Sequence, residues 1–172
     1  GSLAHRILSE NHVQDKSFDT LKRILNHNPK AKRFLDLNLR HPYYQESRIL
    51  ELLTFADILK INEEEFAYLK NLIGLNHHTM RDALYAMIHL LQLDFIILTL
   101  EENGSIVMSE NDYSAKSAIK ADHLIDTVGA GDAFSAAFLT ALYQGSSFID
   151  AHSFANNLSH YICTQKGAFV AI

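Results

Sequence analysis

Residues 126–134 read Asp126-Thr127-Val128-Gly129-Ala130-Gly131-Asp132-Ala133-Phe134. Two of the chain's seven glycines stand within three residues here, directly ahead of an apolar run that reads as a helix over 130–143. Glycines let the backbone turn sharply and come close to a ligand. The unpaired N–H groups of a helix start, with the helix dipole behind them, form an anion site. A carboxylate at Asp132 would repel a resting phosphate beside that site, so its useful role is to take a proton from an attacking hydroxyl. An anion-binding turn with an adjacent base is the minimum equipment for phosphoryl transfer to an alcohol. On spacing alone, a tight strand-to-helix turn with Asp132 as a helix-start acid remains an alternative.

Other glycine motifs fit less well. The dinucleotide fingerprint G-x-G-x-x-G fails at its third glycine, where Phe134 stands, and no strand follows to carry the ribose-binding acid. No G-x-x-x-x-G-K-[ST] phosphate loop occurs.

The rest of the chain alternates strands with helices. Helices are expected over 17–26, 43–55, 63–73, 79–92, 130–143 and 148–164, and strands over 34–40, 57–61, 94–100 and 106–109. A further extended stretch is expected over 113–120. Over 34–40, Leu35, Leu37 and Leu39 alternate with Phe34, Asp36, Asn38 and Arg40, which predicts one apolar and one polar strand face. Gly74 closes one helix, and Thr79 and Ser147 stand where N-caps are needed. Asn103-Gly104 is a hairpin signal. Apolar strands alternating with helices imply a mostly parallel α/β sheet, whose ligands bind at the carboxyl ends of the strands.

Composition narrows the class. Of 172 residues, 48% are hydrophobic and 20% charged, which excludes a disordered, collagenous or coiled-coil chain. A net charge of −5 argues against a dedicated nucleic-acid binder. The single cysteine, Cys163, cannot form an internal disulfide, so a cytoplasmic location is expected. The strongly apolar run 95–100 is far short of the roughly 18 residues a spanning helix needs, so no membrane partner is expected. The ten histidines show no H-E-x-x-H pattern and are read as scattered, solvated side chains.

The segment D-T-V-G-A-G-D-A-F resembles the C-terminal signature of the ribokinase-like (PfkB) carbohydrate kinase family. Other stretches are similar to that family in the same order. These are GSLAHR at 1–6, FLDLNLR at 34–40 with Pro42, ADILKINEEE at 56–65 and FANNLSHYICTQKGA at 154–168. The FLDLNLR stretch with Pro42 resembles the fructokinase-type F-D-x-N-L-R-x-P stretch. The resemblance covers 1–172 as the family's C-terminal half. It implies a three-layer α/β/α fold that lacks the N-terminal half and its sugar-binding lid.

The resemblance also implies roles. Asp132 is the expected base, and Gly129, Ala130 and Gly131 the expected anion hole. Asp126 and the Val128 carbonyl fall on a monovalent-cation loop, implying K⁺, although Asp126 bonding local backbone is an alternative. Asn62 and Glu65 fall on an N-x-x-E motif linked to Mg²⁺ and phosphate through water, and the same spacing is also a capping box. Asp36, Asn38 and Arg40 fall near the substrate. Thr99, Gly104 and Asn156 fall on the ATP side, where Glu101 replaces the first glycine of a T-x-G-x-x-G segment. The implied activity is transfer of the ATP γ-phosphate to a small-molecule sugar, with a non-catalytic nucleotide-binding or structural relative as the alternative. The 172 residues alone are expected to be inactive, and to associate, as a homodimer or otherwise, through an uncovered sheet edge.

Overall fold

The computed structural model describes residues 7–8, 15–39, 45–119 and 129–165. The chain forms two compact units.

The first unit holds the chain up to Thr99 together with Met108–Asn111. Its strands are β1 (Ile7–Leu8), β2 (Phe34–Asp36), β3 (Ile58–Asn62) and β4 (Phe95–Thr99). They pair in chain order and all in parallel, with Leu35 opposite Leu59 and Leu59 opposite Ile96. Parallel neighbours need crossovers. The crossovers carry α1 (Asp15–His27), α2 (Glu46–Leu53), α3 (Glu63–Leu72) and α4 (Met80–Leu91). Ile58 to Ile61 and Ile96 to Leu98 are buried without alternation, the pattern of strands covered on both faces. Leu37, Ile49, Leu52, Leu69, Leu84 and Met87 fill the space around them.

The second unit holds Leu100–Val107 and the chain from Asp112. It contains most of β5 (Ser105–Met108), its neighbour β6 (Tyr113–Lys116), and helices α5 (Ala130–Tyr143) and α6 (Phe148–Cys163). Phe134, Ala137, Phe138, Ala151 and Ala155 are buried there, and the small residues let α5 and α6 pack closely.

Local signals act as the sequence predicts. Thr79 Oγ1 accepts the Asp82 N–H at 3.1 Å and Ser147 Oγ accepts the Asp150 N–H at 3.2 Å. Gly74 follows α3 at φ +70°. Among the described residues no helix is long and apolar enough to cross a membrane.

One expectation needs correction. The strand expected to reach Arg40 ends at Asp36. Leu37 still donates to the Lys60 carbonyl at 3.1 Å, but Asn38 turns left-handed at φ +45° and ends the alternation. Asparagine tolerates that conformation better than most residues. The chain turns at the Asn103-Gly104 signal and returns as β5, through a loop longer than two residues. Glu101–Asn103 forms a short 3₁₀ turn, Gly104 lies at φ +105°, and Leu100 N–H closes the loop on the Gly104 carbonyl at 2.8 Å.

Candidate active site

In the first unit, the predicted residues gather where β3 runs into α3. Asn62 ends β3 and caps α3. Its Oδ1 accepts the Glu65 N–H at 2.8 Å, and Glu65 Oε2 accepts the Asn62 N–H at 2.9 Å. This is the reciprocal capping box that the spacing allowed. Glu65 also reaches outside its own helix, where Oε1 accepts the Leu39 N–H at 2.7 Å. Glu65 is 6% exposed, and burial pushes its carboxyl above the ordinary range. The backbone bonds from Asn62 and Leu39 pull the other way, Asp36 adds to the rise and Lys60 opposes it.

Asp36 lies in the same cluster. Lys60 Nζ donates to Asp36 Oδ2 at 2.6 Å, with side-chain exposures of 10% and 15%. Lys60 was not among the residues read as functional. Its signal is a cation inside the apolar run Ile58-Leu59-Lys60-Ile61. Asn38 is exposed beyond the strand end. Thr99 ends β4 directly opposite Asn62, and its hydroxyl donates to the Ile61 carbonyl at 3.4 Å. Arg40 lies outside the described residues.

In the second unit, Gly104 and Asn156 converge on one backbone segment. A Cβ at Gly104 would stand 1.9 Å from the Lys116 carbonyl oxygen and 2.6 Å from the Ala118 nitrogen, so only glycine fits. Asn156 Nδ2 donates to the neighbouring Ser117 carbonyl at 3.4 Å. At the start of α5, Gly129 is left-handed at φ +83° and ψ −5°. The helix's first backbone bond runs from Ala133 N–H to the Gly129 carbonyl at 2.9 Å. The N–H groups of Ala130, Gly131 and Asp132 precede that bond, and Gly131 and Asp132 are exposed. Asp126 and Val128 lie outside the described residues.

The description "pfkB family carbohydrate kinase" matches residues 7–171. The chain belongs to this family. Among curated relatives of this pfkB-family chain is a ribokinase of Arabidopsis thaliana, 33% identical over 121 residues, or 69% of this chain and 31% of that protein. A nucleoside kinase of Methanocaldococcus jannaschii is 29% identical over 104 residues, or 60% of this chain and 32% of that protein. A fructokinase of Vibrio cholerae O395, solved with fructose, ADP and calcium ion, is similar with a TM-score of 0.75 and 25% identity. That match covers 95% of this chain and 56% of that one. The chain thus spans about a third of the length of these two curated relatives.

Among the described residues of this pfkB-family chain, the α5 start suits a phosphate group. The α5 start offers backbone N–H groups that no carbonyl within the helix accepts from, no Cβ at Gly129 or Gly131, and the positive end of a 14-residue helix. Among the described residues no three His, Cys, Asp or Glu side chains stand close enough to hold a metal ion. Both Glu65 oxygens accept backbone N–H groups, which suits a contact through water. Glu101 is left-handed at φ +48° with its side chain exposed.

His152 corrects the reading of the histidines as solvated. It is 0% exposed on α6, between Ser105 Oγ at 2.9 Å from Nε2 and Ser114 Oγ at 2.8 Å from Nδ1. Its neighbours Ala151 and Ala155 are the sequence signal for a buried helix face.

Proposed function

We propose that the chain is the catalytic and nucleotide-facing half of an ATP-dependent sugar kinase that phosphorylates a hydroxyl group, with a fructokinase-type acceptor. The observation that carries this reading is the α5 start, where a left-handed Gly129 and the first backbone N–H groups of the helix stand within one turn of the exposed Asp132 carboxylate. In this reading Asp132 takes the proton from the acceptor hydroxyl. The N–H groups of Ala130 and Gly131, with Gly129 shaping the turn, stabilise charge that develops on the transferring group. Asn62 and Glu65 would hold Mg²⁺ through water, and Asp36 and Asn38 are assigned to the substrate side. Arg40 is assigned there too, and Asp126 and Val128 to a K⁺ site. Thr99, Gly104 and Asn156 are each assigned to nucleotide binding. When bound, ATP with Mg²⁺ supplies the phosphoryl group and neutralises part of its charge.

The fructokinase-type stretch favours a sugar acceptor, whereas the relatives include a ribokinase and a nucleoside kinase. The 172 residues span 56% of the Vibrio fructokinase, so they are proposed to lack turnover by themselves and to associate through the β1 edge. Incubating the complete gene product with ATP and Mg²⁺ against fructose, ribose and adenosine tests the reading. Faster phosphorylation of adenosine than of either sugar would overturn the acceptor class.

Glu101 favours a second reading, a relative that binds nucleotide poorly and does no transfer. It adds a side chain and a negative charge where the resemblance places a glycine on the nucleotide side. Calorimetry of the complete gene product with ATP and Mg²⁺ separates the two, since absent binding supports the second.

A further inference from the structure

His152 has no role in the chemistry above, yet it touches three other elements at once. From α6 it meets Ser105, the first residue of β5, and Ser114 on β6. Its ring and that of Phe134 on α5 form a T-shaped pair, with centroids 5.8 Å apart and planes at 70°. Phe134 is buried two residues beyond Asp132. Both ring nitrogens are engaged, so the ring cannot turn without giving up both bonds. A residue needed only to fill this space would be apolar, because burying an imidazole carries a desolvation cost that an aliphatic side chain avoids. What the two hydroxyls add is a fixed ring plane. That plane sets where Phe134, and so the opening of α5, comes to rest.

We propose that His152 is a positioning residue: clamped between Ser105 and Ser114, it fixes Phe134 and through it the placement of Asp132. The inference rests on the reading of Asp132 as the base. Burial holds the imidazole neutral at pH 7, and Lys116 on β6 is the charged group acting on it in the same direction. His152 therefore orients without passing protons.

His152→Gln, Ser114→Ala, Phe134→Leu and the His152→Gln/Phe134→Leu pair, made in the complete gene product, test this. In His152→Gln, kcat is expected to fall about ten-fold with KM for ATP and acceptor unchanged and the pH profile keeping its shape. Ser114→Ala, the milder change, is expected to show a smaller fall in kcat with the same split. The double variant is expected to lose no more than the worse single, because both changes cut one path. Losses that multiply, or a pH profile that loses its acid limb, overturn the proposal.

Amide hydrogen exchange gives a readout independent of turnover. In His152→Gln, exchange at Ala133 and Phe134 is expected to quicken about ten-fold while residues 140–143 at the far end of α5 stay unchanged. Even acceleration along α5, or none, overturns the proposal. If Asp132→Asn leaves transfer intact while the local exchange effect appears, the base assignment falls and the positioning of the α5 start stands.

Discussion

Glu65 Oε1 accepts the Leu39 backbone N–H at 2.7 Å across 26 residues of sequence. The same carboxylate closes the capping box of α3 through its other oxygen. One buried side chain therefore fastens the segment after β2 to the helix after β3, at the carboxyl ends of neighbouring parallel strands. Replacing Glu65 with Ala leaves two backbone donors without a partner, and stability is expected to fall by about 2–3 kcal/mol in urea denaturation. Glu65→Gln keeps one acceptor oxygen and is expected to lose about half as much. Equal losses in the two variants would show that charge, rather than acceptor count, holds this corner.

Lys60 and Asp36 form a nearly buried ion pair beside that corner. Lys60→Met removes the cation that pairs with Asp36 and acts on Glu65, and a loss of about 3 kcal/mol is expected. Removing both charges in Lys60→Met/Asp36→Leu is expected to recover much of that stability, because the desolvation cost vanishes with the pair. A double variant as unstable as the single one would sink this account of the pair.

Glu101 holds a left-handed backbone position with a Cβ that crowds its own carbonyl. Glu101→Gly is expected to raise stability by about 1 kcal/mol despite glycine's greater freedom in the unfolded chain. It is also expected to tighten ATP binding in calorimetry, since a negative charge leaves the nucleotide side. Unchanged affinity would place Glu101 away from the nucleotide.

Much of the fold can be read locally. Thr79, Ser147 and the Asn62/Glu65 spacing are caps recognisable within four residues, and the runs at 58–61 and 96–98 declare buried parallel strands without any partner in view. The Gly129–Asp132 turn is legible for the same reason, since glycine, helix start and acid adjoin in sequence. What escapes depends on residues far apart along the chain. Lys60 finds Asp36 across 24 residues, and His152 finds Ser105 and Ser114 across 47 and 38. Ala151 and Ala155 mark a buried face of α6, but nothing within α6 names the two hydroxyls that meet His152. The end of β2 escapes for another reason, because Asn38 leaves the extended region where alternation of Leu37 and Leu39 still reads as strand.

Burial lowers the His152 pKa from 6.5 to about 4, with Lys116 contributing. The folded state therefore resists protonation that the unfolded chain accepts. The stability this gives is fully present above pH 6.5 and is lost as the pH falls through about 4. The loss reaches roughly 3 kcal/mol at most. Urea midpoints measured from pH 7 to pH 4 are expected to fall, and His152→Gln is expected to flatten that slope. A wild-type midpoint constant over this range would contradict a neutral, buried His152.

Asp132 stands exposed in the first turn of α5 beside the Gly129 turn. The most direct measurement is phosphoryl transfer from ATP with Mg²⁺ by the complete gene product, wild type against Asp132→Asn, with fructose, ribose and adenosine as acceptors. If Asp132 is the base, the wild type phosphorylates at least one of them, a sugar fastest. The variant then loses about 10²–10⁴ in kcat while ATP affinity is retained. Equal rates in the two proteins would contradict the assignment, as would a wild type that transfers phosphate to none of the three.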